Sequence, residues 1–275
     1  MTFREELGRA GYIASPDFAE LVEVALALGR PLLLEGPAGV GKTALAPALA
    51  TALGRPLVRL QCYEGLEAPE ALYDWNYARQ LADLARHEDR NVFGSEYLLP
   101  RPLLPALTAP DGAVLLVDEV DRADEAFEAL LLEVLGEAQI TVPELGTIQQ
   151  GGELQVVLTS NRTRSLSDAL RRRCLYQRVG WPTAEREQDI LALHHPGAPG
   201  PLRSQVVRLV GRLRSWDLVK PPGLSESIDL VGAAVFRGLE ALSPETLLPL
   251  LGTVIKDAAD WDETSERIRE LFDDG

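Results

Sequence analysis

Five short apolar runs mark the first two thirds of the chain: PLLLEG from Pro31, PLVRLQCY from Pro56, AVLLVDE from Ala113, LQVVLTSN from Leu154 and CLYQRVGW from Cys174. Between them apolar residues recur at helical spacing. A strand covered on one face alternates apolar with polar residues, whereas a strand covered on both faces reads as a continuous apolar run. Runs of the second kind alternating with helices predict a parallel sheet flanked by helices, an α/β fold. The strand signals stop after GWP at residues 180–182. Amphipathic helical segments come next, at 183–194, 202–216, 225–242, 244–256 and 263–272, separated by HPGAPGP and VKPPG, whose prolines and glycines break helices. The pattern predicts an α/β domain over residues 1–182 and a small all-helical domain over 183–275.

The first run leads into chemistry. In LLLEGPAGVGKTALAPALATALG, Gly36, Gly41, Lys42 and Thr43 have the G-x-x-x-x-G-K-[ST] spacing of a phosphate-binding P-loop. Backbone N–H groups from Gly36 through Pro37, Ala38, Gly39, Val40, Gly41, Lys42, Thr43 and Ala44, proline excepted, can converge on phosphate oxygens where the helix begins. Lys42 supplies charge to the β and γ oxygens, and the Thr43 hydroxyl can ligate Mg2+. A plain strand-to-helix turn would not need the lysine. Gly54 is expected to cap the helix, and Pro47, placed in its interior, is expected to remove a backbone bond.

Two further strands end in polar residues. Asp118 and Glu119 close the third run, at the edge where parallel α/β sheets bind ligands. Asp118 suits the Mg2+ shell and Glu119 suits polarising a water. Asp121 and Asp124, just beyond, read as helix-capping residues. Asn161 ends the fourth run and can contact a γ-phosphate or the attacking water.

Charge and composition narrow the partners. A net charge of −15 over 275 residues opposes general affinity for nucleic acid. The arginine-rich stretch NRTRSLSDALRRRCLYQR, 161–178, is the local exception. No run is long and apolar enough to span a membrane, and the N-terminus has no apolar core of an export signal. Cys62 and Cys174 lack metal-type spacing and read as reduced thiols, so a cytoplasmic setting is expected. His87, His194 and His195 show no ligand spacing, and Trp75, Trp181, Trp216 and Trp261 read as packing residues.

Gly36 to Thr43, the Asp118–Glu119 pair, Asn161 and a helical domain after the fifth strand occur in the order found in AAA+ ATPases, which this chain resembles. DEVDRADEAFEALLLEVLGEAQITV and the hairpin-like QITVPELGTI resemble the MoxR branch. QCYEGLEAPEALYDWNYARQL, LTSNRTRSLSDALRRRC and KPPGLSESIDL are similar to its CoxD-type subgroup, associated with maturing molybdenum hydroxylases. The resemblance implies ATP and Mg2+ as cofactors, Glu119 and Asn161 as catalytic residues, and Thr43 with Asp118 at the metal. It also implies Tyr12 and Ile13, in GYIAS, beside the adenine, and Arg173, with Arg172 as runner-up, as the arginine offered to a neighbouring subunit. That role explains the arginine run better than nucleic-acid binding.

The same resemblance implies a homo-oligomeric ring, expected as a hexamer, that remodels a metalloenzyme client, often through a von Willebrand A domain partner. The hairpin tip, Glu144 and Leu145, would contact client or partner. Ser227 stands where the family usually has a second-sensor arginine. The alternative is a nucleotide-dependent switch that does not hydrolyse. A GTPase is disfavoured because no N-K-x-D segment occurs, and a small-molecule kinase would not need Glu119 beside Asp118.

Overall fold

The computed structural model describes residues 2–85, 91–142 and 146–272. They fall into two compact units, residues 1–36 with 42–179, and residues 37–41 with 180–275. The five residues of the glycine-rich turn thus cluster with the helical unit although the chain on both sides of them belongs to the first.

In the first unit, α1 (Phe3–Arg9) and α2 (Pro16–Ala27) precede β1 (Leu32–Glu35), α3 (Leu45–Leu53) and β2 (Leu57–Gln61). A small excursion comes next: α4 (Ala68–Leu72), β3 (Tyr73–Trp75), α5 (Tyr77–Leu84) and β4 (Leu98–Pro100). The chain returns through α6 (Leu103–Thr108), β5 (Ala113–Asp118), α7 (Glu125–Glu137), β6 (Gln139–Val142), β7 (Gly146–Gln149), β8 (Leu154–Ser160), α8 (Asp168–Arg173) and β9 (Leu175–Arg178). The main sheet has the order β2-β5-β8-β1-β9, and every pairing in it is parallel. Its central strands read as continuous apolar runs because both faces are covered; β5 is buried along its whole length. Leu33, Leu115, Val117, Leu158, Phe127 and Leu131 share one core on the side of α7.

Two short antiparallel ribbons extend from this plan. β3 pairs with β4, an element the apolar pattern did not announce because each strand has only three residues. β6 pairs with β7, as QITVPELGTI predicts, and Ile140 and Val142 bury their side chains in the core. Glu144 and Leu145, at the expected tip, lie outside the described residues, as does His87.

Pro47 needs a different account from the one its sequence position implied. The helix begins only at Leu45, so Pro47 falls in its first turn, where N–H groups have no intrahelical partner to lose. Gly54 adopts φ 63° and donates to the Ala50 and Thr51 carbonyls, ending α3.

The second unit holds α9 (Ala184–His194), α10 (Gly200–Ser215), α11 (Leu224–Phe236), α12 (Pro244–Leu247) and α13 (Ala258–Glu266) around a core of Leu202, Val206, Val210, Leu230 and Leu251. Two segments depart from expectation. The helix expected over 244–256 is one α-turn continued as a 3-10 helix to Thr253, and the last segment starts at Ala258, capped by Asp257. No helix among the described residues is long and apolar enough to cross a membrane.

Candidate functional site

Because β1, β5 and β8 are parallel neighbours, their C-terminal ends emerge at one edge of the sheet. There the chain places Gly36, Asp118 and, just past Ser160, Asn161. Gly36 is required by space, since a Cβ would overlap the Val179 carbonyl. Gly39 and Gly41 are required by conformation, at φ 77° and 88°. Pro37, Ala38 and Gly39 are exposed, Val40 is buried and Ala44 is exposed. Within the second unit the Gly39 carbonyl accepts from the Leu224 N–H at 2.8 Å.

Lys42 is 6% exposed, and its Nζ donates to the Gly36 carbonyl and to Asn161 Oδ1, each at 2.8 Å. Burial lowers its pKa below the ordinary lysine value, against the opposing pull of Asp118, Asp121 and Glu119. The Asn161 amide nitrogen donates in turn to Glu119 Oε1 at 3.0 Å. One side chain therefore bridges the P-loop lysine and the acid that follows β5.

Asp118 divides its two oxygens. Oδ1 accepts from Thr43 Oγ1 at 3.0 Å and Thr159 Oγ1 at 2.5 Å, while Oδ2 meets the Arg59 guanidinium at 2.6 Å. Glu119 is held in the left-handed region, φ 55° and ψ 48°, which costs a non-glycine residue energy and recurs at functional sites. Its N–H donates to Thr159 Oγ1 at 3.0 Å. Its Oε2 accepts from Arg122 Nε at 3.0 Å and Gln61 Nε2 at 3.3 Å. Arg59, Gln61, Arg122 and Thr159 were not singled out in the sequence. Thr159, a hydroxyl two residues before Asn161 and directly after the apolar run Val156–Leu158, carried a readable signal.

The capping reading of Asp121 is corrected. Asp124 does cap α7, accepting from the Phe127 N–H at 2.8 Å. Asp121, 2% exposed, instead accepts from the N–H groups of Asn161 at 3.1 Å and Thr163 at 2.7 Å, and from Thr163 Oγ1 at 2.7 Å. It braces the loop that presents Asn161. Burial alone would raise its pKa, but the hydrogen bonds from Thr163 and Asn161 outweigh burial and hold it below the ordinary value.

The arginine run divides by partner. Arg171 lies 3.8 Å from Glu35 and over the Tyr176 ring, and Arg162 lies 3.7 Å from the same carboxylate. The Arg173 guanidinium is folded onto the Leu132 carbonyl, within α7. Arg172 is exposed, and among the described residues its guanidinium carries no hydrogen bond or ion pair. Tyr12 is buried with its ring centroid 6.1 Å from that of Phe18, and Ile13 beside it is half-buried. In the second unit, Ser227 is fully buried and donates to Glu187 Oε1 at 2.6 Å, a carboxylate that Arg214 already grips with two nitrogens at 2.7 and 2.9 Å.

The model of the AAA domain (dynein-related subfamily) matches residues 31–174. YehL of Escherichia coli is 28% identical over 295 residues, covering 95% of this chain and 78% of YehL. The gas vesicle ATPase GvpN of Ancylobacter aquaticus is 25% identical, covering 84% of this chain and 69% of GvpN. Among solved structures, the Thermotoga maritima RuvB Holliday junction branch migration motor superposes with a TM-score of 0.53 at 17% identity, covering 99% of this chain and 78% of RuvB. At that identity the likeness concerns the fold.

Proposed function

Since the chain belongs to the AAA domain family, in its dynein-related, MoxR-like branch, and is a nucleotide-binding ATPase, we propose that it hydrolyses Mg-ATP within a ring of identical subunits and uses the cycle to remodel a metalloenzyme during maturation. The observation that carries the catalytic part is the chain of contacts from Lys42 through Asn161 to Glu119, which joins three motifs far apart in sequence.

In this reading the turn from Gly36 to Ala44 cradles the phosphates, and Lys42 offsets charge on the β and γ oxygens. Glu119 accepts a proton from the attacking water, and Asn161 holds both the acid and the γ-phosphate end in line. Asp121 and Thr159 are positioning residues for that pair. Thr43 and Asp118 are the residues that would hold Mg2+: the donors meeting there are hard oxygens, 3.0 Å apart, of the type this ion selects. When bound, the ion would neutralise phosphate charge during transfer.

A cation supplied across a subunit boundary is worth about 10³ to 10⁵ in rate in related chemistry. We assign that role to Arg172 in place of Arg173, because the Arg173 head group is committed to the Leu132 carbonyl. Tyr12 and Ile13 are assigned to the adenine, residues 183–275 to a helical lid, and the cytoplasm to the ring. A molybdenum hydroxylase client and a von Willebrand A domain partner are assigned on the CoxD-type resemblance.

Glu119→Gln should retain ATP affinity and lose about 10² to 10⁴ in turnover, whereas Lys42→Ala should lose nucleotide binding itself. Mixing Glu119→Gln with Arg172→Ala subunits should restore part of the turnover, because some junctions then hold both intact groups. The Glu119→Gln ring, saturated with ATP in cell extract, should retain its client for identification. Normal turnover in Glu119→Gln would overturn the catalytic assignment, and a retained client without any metal centre would overturn the maturation role.

A further inference from the structure

Arg59 stands on β2, the edge strand of the sheet, with Gln61 two residues on and on the same face. One guanidinium nitrogen donates both to Asp118 Oδ2 at 2.6 Å and to Gln61 Oε1 at 3.0 Å. Gln61 passes the connection on to Glu119. The carboxylate that reaches Thr43 with one oxygen therefore faces a permanent cation with the other.

Neutralising a buried acid does not account for this arrangement. The Arg59 side chain is 56% exposed while that of Asp118 is 7% exposed, and an arginine so solvated contributes little to folding. Asp118 Oδ1 is already satisfied by two hydroxyls. A half-solvated guanidinium at this place sets the local charge felt by any other cation that approaches the same carboxylate.

We propose that Arg59 tunes the metal affinity of the site: it is a tethered cation that shares Asp118 with the divalent ion. It weakens retention of a lone metal and favours an ion that arrives with the compensating negative charge of nucleotide phosphates. The proposal rests on the reading that Thr43 and Asp118 hold the metal. A unit positive charge held on the same carboxylate as a divalent ion repels it, which in a water-like dielectric at low salt lowers the ion's affinity about tenfold, and less as salt rises.

The test uses Mn2+ as probe, monitored by electron paramagnetic resonance on the full chain with and without saturating ADP. Arg59→Gln should bind Mn2+ about tenfold more tightly than wild type at low salt, with the larger gain in the absence of ADP. The difference should narrow as NaCl is added, and Arg59→Lys should behave nearly as wild type. ADP affinity measured in EDTA should be the same in all three proteins, which reports on the cradle separately. Unchanged or weaker Mn2+ binding by Arg59→Gln, with Mn2+ still bound by wild type, would overturn the role of Arg59 alone. Wild type that binds ADP in EDTA yet takes up no Mn2+ would overturn the metal placement, and the proposal with it.

Discussion

Two arginine–carboxylate pairs in this molecule use the same chemistry to different ends. In the helical unit, Arg214 of α10 is 10% exposed and Glu187 of α9 is 2% exposed. The guanidinium makes a two-pronged contact with the carboxylate, donates from Nε to the Pro222 carbonyl at 2.8 Å, and lies 4.4 Å from the centre of the Trp181 ring. Ser227 adds a hydroxyl donor. In the sheet unit, Arg59 touches Asp118 through one nitrogen and leaves most of its surface in water. Distances are alike in the two pairs. The difference is the burial of the cation, and burial decides whether a pair is a fixed staple in which each guanidinium nitrogen donates a hydrogen bond or an adjustable contact that a competitor can displace.

The largest effect expected from breaking this contrast is in the staple. Arg214→Ala would leave the Glu187 charge buried without its partner and should cost about 3–5 kcal/mol of stability, read by chemical denaturation. Replacing the pair together, Arg214→Met with Glu187→Leu, should recover most of that loss; no recovery would mean that the pair does more than hold helices together. Asp121 falls between the two cases, since it is buried but paired with neutral donors. Asp121→Asn should cost about 1.5–3 kcal/mol at neutral pH and lower turnover more than nucleotide affinity. Because the folded pKa of Asp121 is depressed, its contribution is present above the unfolded carboxylate pKa and is lost as pH falls through the folded value. The stability difference between wild type and Asp121→Asn should therefore close in acid; a difference independent of pH would show that charge on Asp121 is irrelevant. The smallest effect belongs to Arg59→Ala, which should cost less than about 1 kcal/mol in metal-free protein.

Legibility in the sequence divided along the same line. The central strands, the P-loop and the acids at strand ends were readable because burial on both faces makes a continuous apolar run, and a polar residue closing such a run has few structural reasons to be there. Arg59 and Gln61 were not, because alternation of exposed polar residues is what an ordinary edge strand shows. Asp121 was misread because two aspartates precede α7 and local pattern cannot tell which one caps it. The partner of Asp121 lies about forty residues away, in the loop after β8. The commitment of Arg173 to a carbonyl of α7 is likewise a tertiary fact with no local signature. In the helical unit the apolar period persists through 3-10 turns, so the pattern located the segments better than it located their ends.

The four residues of β1 have a mechanical consequence. At one end the strand continues into Gly36, and Glu35 beside it pairs with Arg162 and Arg171. Before its other end, Arg30 donates to the carbonyls of Arg172, Arg173 and Cys174, the end of α8. A strand of this length spans about 13 Å and, hydrogen-bonded on both sides, neither stretches nor bends under small loads. The strand therefore joins the backbone at Gly36 to the carbonyls at the end of α8 through one short, doubly paired segment and a single arginine side chain.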